Sequence, residues 1–185
     1  DDCANATPAA VGSNALNNLF ATASTAGSSC GADSADVWYS FTVPSAGNYR
    51  FETCGSTLDT VVEVYSGACG SATSLGCNDD ACGAQSQVDL VGLNAGDNLL
   101  IQIGGFNNAQ GTGSLEISTF SAIGNDDCGG ATPIAFGANP LDNNFSTTGA
   151  TISGCGAEQA DVWYSFTVAT AGDYRFETCG SLFDT

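Results

Sequence analysis

An acidic turn flanked by two cysteines contains the residue types that best fit a chemical role. Asp79 and Asp80 lie between Cys77 and Cys82, and Asp59 lies two residues before the strand-like run VVEVY at 61–65. Calcium takes about 6–8 oxygen ligands from clustered carboxylates and carbonyls, which an acidic loop pinned by disulfides can provide. The alternative is that these side chains accept hydrogen bonds from turn amides, as Asp and Asn often do. Calcium is the one cofactor that the sequence suggests.

A second candidate cation site lies in the segment Asn125-Asp126-Asp127, where two copies of a repeat meet. The carboxylates of Asp126 and Asp127 stand in a linker between segments of like charge. A bridging cation would make such a linker more rigid. We therefore include both residues among the candidate calcium ligands.

The residues that the sequence lacks disfavour most catalytic chemistry. It contains no His and no Lys, and 20 acidic residues against two arginines give a formal net charge of −18. Without imidazole, Ser/His/Asp and Cys/His arrangements are excluded, and without Lys so are Schiff-base and P-loop chemistry. The negative charge repels phosphate backbones and anionic lipids, and no apolar run approaches the length needed to cross a bilayer. We expect a non-enzymatic extracellular protein that neither binds nucleic acid nor inserts into a membrane.

The sequence repeats itself at an offset of 125 residues without a gap. Residues 36–43 and 161–168 both read DVWYSFTV, and 38 of the 60 positions that can be compared are identical. We therefore predict one complete domain at residues 1–125 and the N-terminal part of a second at 126–185. The remaining strands of the second domain would come from a longer polypeptide or from another molecule.

Cysteines follow the same repeat, with six in the complete copy and three in the partial one. An even set in an acidic, Gly-rich chain indicates three disulfides made in an oxidising compartment, and the wide spacings disfavour zinc or an iron–sulfur cluster. Pairing within the partial copy, closure of a short loop and elimination give the following bonds: Cys3–Cys30, Cys54–Cys82, Cys69–Cys77 and Cys128–Cys155. Cys179 then lacks a partner. Other pairings remain open, because six cysteines can combine in many ways.

Alternation of apolar and polar residues dominates the pattern and indicates short β-strands joined by Gly-centred turns. No segment shows the apolar stripe of an amphipathic helix. Roughly eight such strands make an all-β sandwich of jelly-roll type. The aromatic residues expected in its core are Tyr39, Phe41, Tyr49 and Phe51. Trp38 lies on the opposite face of its strand, where we expect it to be exposed or to contact a neighbouring repeat.

Three stretches of the complete copy resemble a known family. They are DVWYSFTVPSAGNYRFETCGSTLDTVVEVYSG at 36–67, CNDDACG at 77–83 and LLIQIGGFNNAQGTGSLEIS at 99–118. They resemble the bacterial pre-peptidase C-terminal domain, in the cysteine-bearing form repeated in large secreted and surface proteins; residues 161–185 share the likeness. The resemblance implies a jelly-roll sandwich without catalytic activity, attached to secreted proteases or to adhesive and structural proteins. Some members bind calcium, collagen or polysaccharide.

Two functions fit these observations. The first is a structural repeat of an extracellular fibre, stalk, matrix or surface protein, because near-identical copies allow every junction to be the same. Its partners would be neighbouring repeats or identical chains, joined into filaments through an open sheet edge. The second is a non-catalytic glycan- or protein-binding module of a secreted hydrolase. Exposed aromatic residues around Trp38 would favour the second function.

Overall fold

The computed structural model describes residues 2–23, 28–121, 123–125, 128–143, 146 and 161–179. The chain divides into two compact units, Asp1–Ser121 and Ala122–Thr185, here called unit 1 and unit 2. Within the described residues, no helix has the length and apolar character needed to span a membrane.

Unit 1 is a sandwich of two β-sheets. Its strands are β1 Thr7–Pro8, β2 Gly12–Asn17, β3 Asp33–Thr42, β4 Gly47–Glu52, β5 Thr60–Ser66, β6 Thr73–Asn78, β7 Gln87–Leu93, β8 Asn98–Phe106 and β9 Thr112–Phe120. One sheet has the order β1-β3-β8-β5-β6 and the other the order β2-β9-β4-β7. Apart from the β5–β6 hairpin, successive strands from β2 onwards alternate between the sheets, which is the jelly-roll arrangement. The predicted all-β sandwich is confirmed.

The core of unit 1 lies between the sheets and is built on aromatic residues of β3 and β4. Tyr39 and Phe41 are 4% and 2% exposed, and Tyr49 and Phe51 are fully buried. The ring of Phe41 meets the rings of Tyr49 and Phe51 edge-on, at centroid distances of 5.6 and 5.7 Å. Aliphatic side chains from the later strands complete the core: Val62, Val64, Val88, Leu90, Leu99, Ile101, Ile103, Leu115 and Ile117. The predicted aromatic core is confirmed.

Trp38 lies on the outer face of the five-stranded sheet, yet it is only 5% exposed. Its ring stacks on that of Tyr65 with centroids 5.6 Å apart, and its Nε1 donates a hydrogen bond to the Asp36 carboxylate at 2.9 Å. Gln102 donates to the same carboxylate at 3.0 Å. The prediction of an exposed or inter-repeat Trp38 is therefore wrong, because this residue is buried within its own unit.

Residues 28–32, which directly precede β3, are tied to this outer face through Glu63. The Ser29 backbone N–H and hydroxyl donate to the Glu63 carboxylate at 2.7 and 2.8 Å, and Glu63 is only 1% exposed. Burial acts to raise the pKa of Glu63, but hydrogen bonds from Ser74, Ser29 and Tyr65 outweigh it, so the pKa lies below its usual range. The ionised carboxylate therefore stabilises the folded state.

We expect Glu63→Gln to lower the free energy of unfolding at pH 7 by about 1–3 kcal/mol, because it removes hydrogen bonds to a charged group. A lowered pKa in the folded state gives stability that is present above the ordinary Glu pKa and is lost as the pH falls. The deficit should therefore shrink at about pH 3. Urea unfolding at both pH values measures it, with Glu116→Gln as the control. A deficit of equal size at both pH values would contradict this account.

Three disulfides close unit 1: Cys3–Cys69, Cys30–Cys77 and Cys54–Cys82. The structure forms Cys54–Cys82 as expected, whereas the predicted Cys3–Cys30 and Cys69–Cys77 bonds are wrong. Cys69 lies in the turn before β6 and Cys77 near the other end of that strand. A rise of about 3.3 Å per residue keeps them farther apart than the roughly 4.4–6.8 Å that a disulfide allows between Cα atoms.

The observed disulfides share one feature. Each joins a cysteine that precedes Thr60 to one that follows it. We call the residues before Thr60, which include β1–β4, the front half of unit 1. The residues from Thr60 to Phe120, which form β5–β9, are its back half. The two halves are therefore linked covalently at three places.

The described part of unit 2 contains two short strands, β10 Thr132–Ile134 and β11 Tyr164–Phe166. They pair in parallel with Thr132 opposite Tyr164, the register in which Thr7 lies opposite Tyr39 in unit 1. Cys128 and Cys179 are exposed free thiols. Cys155, the partner predicted for Cys128, lies outside the described residues.

Candidate cation site

The β5–β6 hairpin brings three acidic residues together. Val62 lies opposite Asn78 in this hairpin, so the residue before β5 and the residues after β6 meet at one end of the sheet. Asp59 precedes β5, and Asp79 and Asp80 follow β6. One carboxylate oxygen from each lies within 4.8 Å of the other two. The structure thus brings together the three residues of the first candidate site.

Covalent and hydrogen bonds fix the loops that carry these acids. The Cys30–Cys77 and Cys54–Cys82 disulfides flank the Asp79 loop in sequence. The Ser86 hydroxyl donates to the Asp79 carbonyl at 2.8 Å and also to the carbonyl of Thr60. The loop after β6 is therefore tied to the first residue of β5, next to Asp59.

In the described part of unit 1, the protein provides few hydrogen-bond donors and no positive charge to the carboxylates of this site. Asp59 Oδ1 and Asp79 Oδ1 are buried and have no hydrogen-bond partner among the described residues. Burial raises the pKa of Asp79, and the negative charges of Asp80 and Asp59 raise it further. Arg50, the one base in residues 1–121, binds Asp89 at 2.7 Å instead. Buried oxygens without a donor cost about 1–3 kcal/mol each, more when charged.

Carboxylate oxygens in this arrangement suit a hard divalent cation. Three carboxylates offer several oxygens at one point, which is the donor type that calcium and magnesium prefer over thiolate or imidazole. No sulfur is free to take part there, because the neighbouring cysteines are in disulfides. The ligand atoms at this site are therefore carboxylate oxygens, which can hold a cation.

Gly31 also shapes this site, although it is not among the residues predicted from the sequence. A Cβ atom at this position would lie 3.2 Å from Asp79 Oδ2 and 2.7 Å from a methyl group of Val61. The absence of a side chain lets the loop after Cys30 approach the carboxylates. A signal was available in the sequence, since Cys-Gly-Ala occurs in both copies, at 30–32 and 155–157.

The second predicted site, Asp126 and Asp127, lies outside the described residues. The residue of unit 1 equivalent to Asp127 is Asp2. Asp2 accepts a hydrogen bond from the Ala4 backbone N–H at 3.1 Å and caps the short 3-10 helix Cys3–Asn5. A cation at Asp126 and Asp127 stays a prediction.

Comparison with known proteins relates the whole chain to one family. A family model described as galactose binding domain-like, and associated with the type IX secretion system, matches residues 1–117 and again residues 124–184. No curated protein matches the chain. Among solved structures, the chain is similar to the crystal structure of Aeromonas hydrophila PliG, a periplasmic lysozyme inhibitor of g-type lysozyme. The TM-score is 0.40 with 21% identity, over 62% of this chain and 96% of that chain.

The family match agrees with the fold and with the oxidised cysteines. Disulfides form outside the reducing cytosol, and the family is associated with a secretion system, so the protein is extracellular. The likeness to the pre-peptidase C-terminal domain holds at a coarser level, that of an extracellular β-sandwich. With both segments matched, the chain belongs to the galactose-binding-domain-like family associated with type IX secretion.

Proposed function

We propose that the chain is a structural repeat segment of an extracellular fibre, stalk, matrix or surface protein and has no catalytic role. One observation carries the proposal: every disulfide of unit 1 joins the front half of the sandwich to the back half. The two halves cannot separate without breaking covalent bonds. Such an arrangement suits a module that transmits tension along a chain of repeats.

The Cys3–Cys69 disulfide limits how far unit 1 can be stretched. Tension along the chain enters near Cys3 and leaves at Phe120, the last residue of β9. The disulfide carries it directly from residue 3 to residue 69, so 51 residues can be pulled out instead of 117. At about 3.5 Å per residue, the extended lengths are about 180 Å and about 410 Å.

The repeat itself supports a structural role. The two copies share 38 of 60 comparable residues, so each junction between neighbours can be built from the same surfaces. High sequence identity between copies is expected in an array of repeats, because each repeat there contacts another repeat. Neighbouring repeats or identical chains are the partners that this proposal implies.

Calcium at the candidate cation site is the structural cofactor of this proposal. A cation bound by Asp59, Asp79 and Asp80 would tie the start of β5 to the loop after β6. The two buried oxygens without partners support it, because a cation would satisfy both. Calcium-rich surroundings outside the cell would keep such a site filled.

Single-molecule force spectroscopy on the full chain tests the mechanical role. Without reductant, we expect the unfolded unit 1 to reach an extended length of about 180 Å, and with reductant about 410 Å; the gain on unfolding is each of these lengths minus the end-to-end distance of the folded unit. The double variant Cys3→Ser/Cys69→Ser should reach about 250 Å, since Cys30–Cys77 then sets the shortest covalent path. The same gain with and without reductant would overturn the proposal.

Thermal unfolding with calcium or with a chelator tests the cation. Calcium should raise the Tm of the unaltered chain, since a ligand at 100 times its Kd stabilises by about 2.7 kcal/mol. Asp79→Asn should abolish this response. In chelator at pH 7 the same variant should be more stable than the parent, because it removes a buried carboxylate whose pKa is raised. Asp173→Asn, an exposed change of equal charge, is the control. An unchanged calcium response in Asp79→Asn would rule the site out.

A second candidate function is a non-catalytic glycan- or protein-binding module, which the description of the family favours. Trp38 is buried and cannot contact a ligand. Phe20 is 91% exposed, and its backbone N–H is held by the Gln110 side chain at 3.3 Å. If the chain binds a glycan on an array, we expect Phe20→Ala to remove that binding while leaving the Tm unchanged. Binding that persists in Phe20→Ala would exclude this surface.

A further inference from the structure

Phe20, in the turn after β2, is 91% exposed and has a backbone φ of 67°. A single exposed apolar side chain is ordinary on a protein surface, but a left-handed backbone at a bulky residue other than glycine is an outlier. The ring lies outside the core, so packing there does not offset the strain. Residues strained in this way persist only where the surrounding structure holds them, and they concentrate at functional sites. We call residues 17–21 the Phe20 turn.

Hydrogen bonds from side-chain amides fix the Phe20 turn. Gln110 accepts from the Phe20 backbone N–H at 3.3 Å and donates to the Ala21 carbonyl at 3.5 Å, so one amide holds both sides of the residue. Asn17 accepts from the Leu19 backbone N–H at 2.9 Å. The ring is therefore presented by a backbone that is ordered before a ligand arrives, which lowers the entropy cost of binding.

A buried asparagine joins the Phe20 turn to the loop after β8. Asn18 is 1% exposed, and its side-chain oxygen accepts from the Gly111 backbone N–H at 2.8 Å. Asn107 and Asn108 in this loop also have left-handed backbones, with φ of 49° and 68°, and both are exposed. We call residues 107–110 the amide loop. The Phe20 turn and the amide loop are thus fixed against each other.

The residues of this surface carry no charge, although the protein has a formal net charge of −18. Residues 4–32 and 98–115 contain no Asp, Glu, Lys or Arg. The acidic groups of the rest of the protein repel an anionic ligand, and they attract a cationic ligand to other parts of the surface. An uncharged ligand is therefore the class that this surface fits.

The exposed side chains indicate what kind of uncharged ligand it is. The flat face of the Phe20 ring can pack against the C–H groups of a sugar ring. The amides of Asn107 and Asn108 each offer a donor group and an acceptor oxygen, which are the partners that hydroxyl groups require. A polyhydroxylated ligand makes both kinds of contact.

The second copy of the repeat contains the same aromatic residue. Asn18 and Phe20 correspond to Asn143 and Phe145, whereas Leu19 corresponds to Asn144. Leu19 is 46% exposed, and its replacement indicates that an exposed apolar residue of this turn is free to change. A buried asparagine recurs for structural reasons. The recurrence of a phenylalanine that is 91% exposed in unit 1 has no such reason and indicates a function.

We propose that the Phe20 turn and the amide loop bind an uncharged polysaccharide. The Phe20 ring stacks on one sugar, and the amides of Asn107 and Asn108 bond to hydroxyl groups of the same glycan. This inference rests on the second candidate function, a non-catalytic binding module, and narrows its ligand to a neutral glycan. A structural repeat with this surface would attach its array to a polysaccharide matrix.

Affinity electrophoresis of the full chain tests the class of ligand. The gels contain dextran, galactomannan, arabinoxylan or a β-1,3-glucan, all uncharged, or the anionic polysaccharide alginate. We expect at least one uncharged polysaccharide to retard the chain, alginate not to, and added NaCl to leave the retardation unchanged, because no ion pair contributes. Retardation by alginate, or by none of the uncharged polysaccharides, would overturn the proposal. Binding of a collagen peptide in that case would leave the binding-module function standing without a glycan ligand.

Two variants of Phe20 separate binding from folding. Phe20→Asn should raise the Kd for the retarding polysaccharide by at least about tenfold, because it removes the ring. Its Tm should not fall, since Asn tolerates a left-handed backbone better than Phe does. Phe20→Tyr keeps the ring and should keep the binding. Val91→Asn, which changes another exposed apolar residue, is the control and should bind like the parent chain.

Two results with these variants would contradict the assignment. Unchanged binding by Phe20→Asn would show that the polysaccharide binds elsewhere, so the binding module would stand and this site would not. A lower Tm in Phe20→Asn would show that the ring packs against another part of the protein, which would give its exposure and its recurrence a structural cause.

Discussion

Each half of unit 1 contributes strands to both sheets, so neither half can complete the core without the other, and the rest of unit 1 depends on this constraint. Alternating strands present one apolar face each, and in a jelly roll successive strands pass from one sheet to the other. The aromatic residues of β3 and β4 therefore meet aliphatic residues that come later in the chain. The disulfides follow the same division, since each crosses it. Packing and covalent bonding thus hold together the same two parts.

The polar features of unit 1 are arranged around this core. On the outer face, Glu63 binds Ser29, and Trp38 is buried without belonging to the core, because it stacks on Tyr65 and donates to Asp36. At one end, the β5–β6 hairpin concentrates three carboxylates next to two disulfides. Both features place carboxylates where water has little access. The Glu63 carboxylate accepts hydrogen bonds from the protein, whereas Asp59 and Asp79 each keep one oxygen without a partner among the described residues.

Sequence patterns were sufficient for the sheets, the aromatic core and the grouping of acidic residues. Alternation identifies which face of a strand is apolar, and the disulfides expected around the acidic turn were the reason to associate Asp59 with Asp79 and Asp80. Trp38 was placed on the right face, but alternation does not reveal what covers that face. The disulfide pairs depended on which strand ends meet in three dimensions, and short spacing along the chain was misleading for Cys69 and Cys77. The approach of Gly31 to the carboxylates depends on that same packing.

The positions of the disulfides also determine the order in which an exported chain can mature. The native pairs are separated by 66, 47 and 28 residues. An N-terminus that emerges first exposes Cys3, Cys30 and Cys54 before any native partner has appeared. All three partners then emerge between residues 69 and 82. Any disulfide formed among those three cysteines alone is non-native, so the complete native set forms only after Cys82 has emerged, directly or by thiol–disulfide exchange.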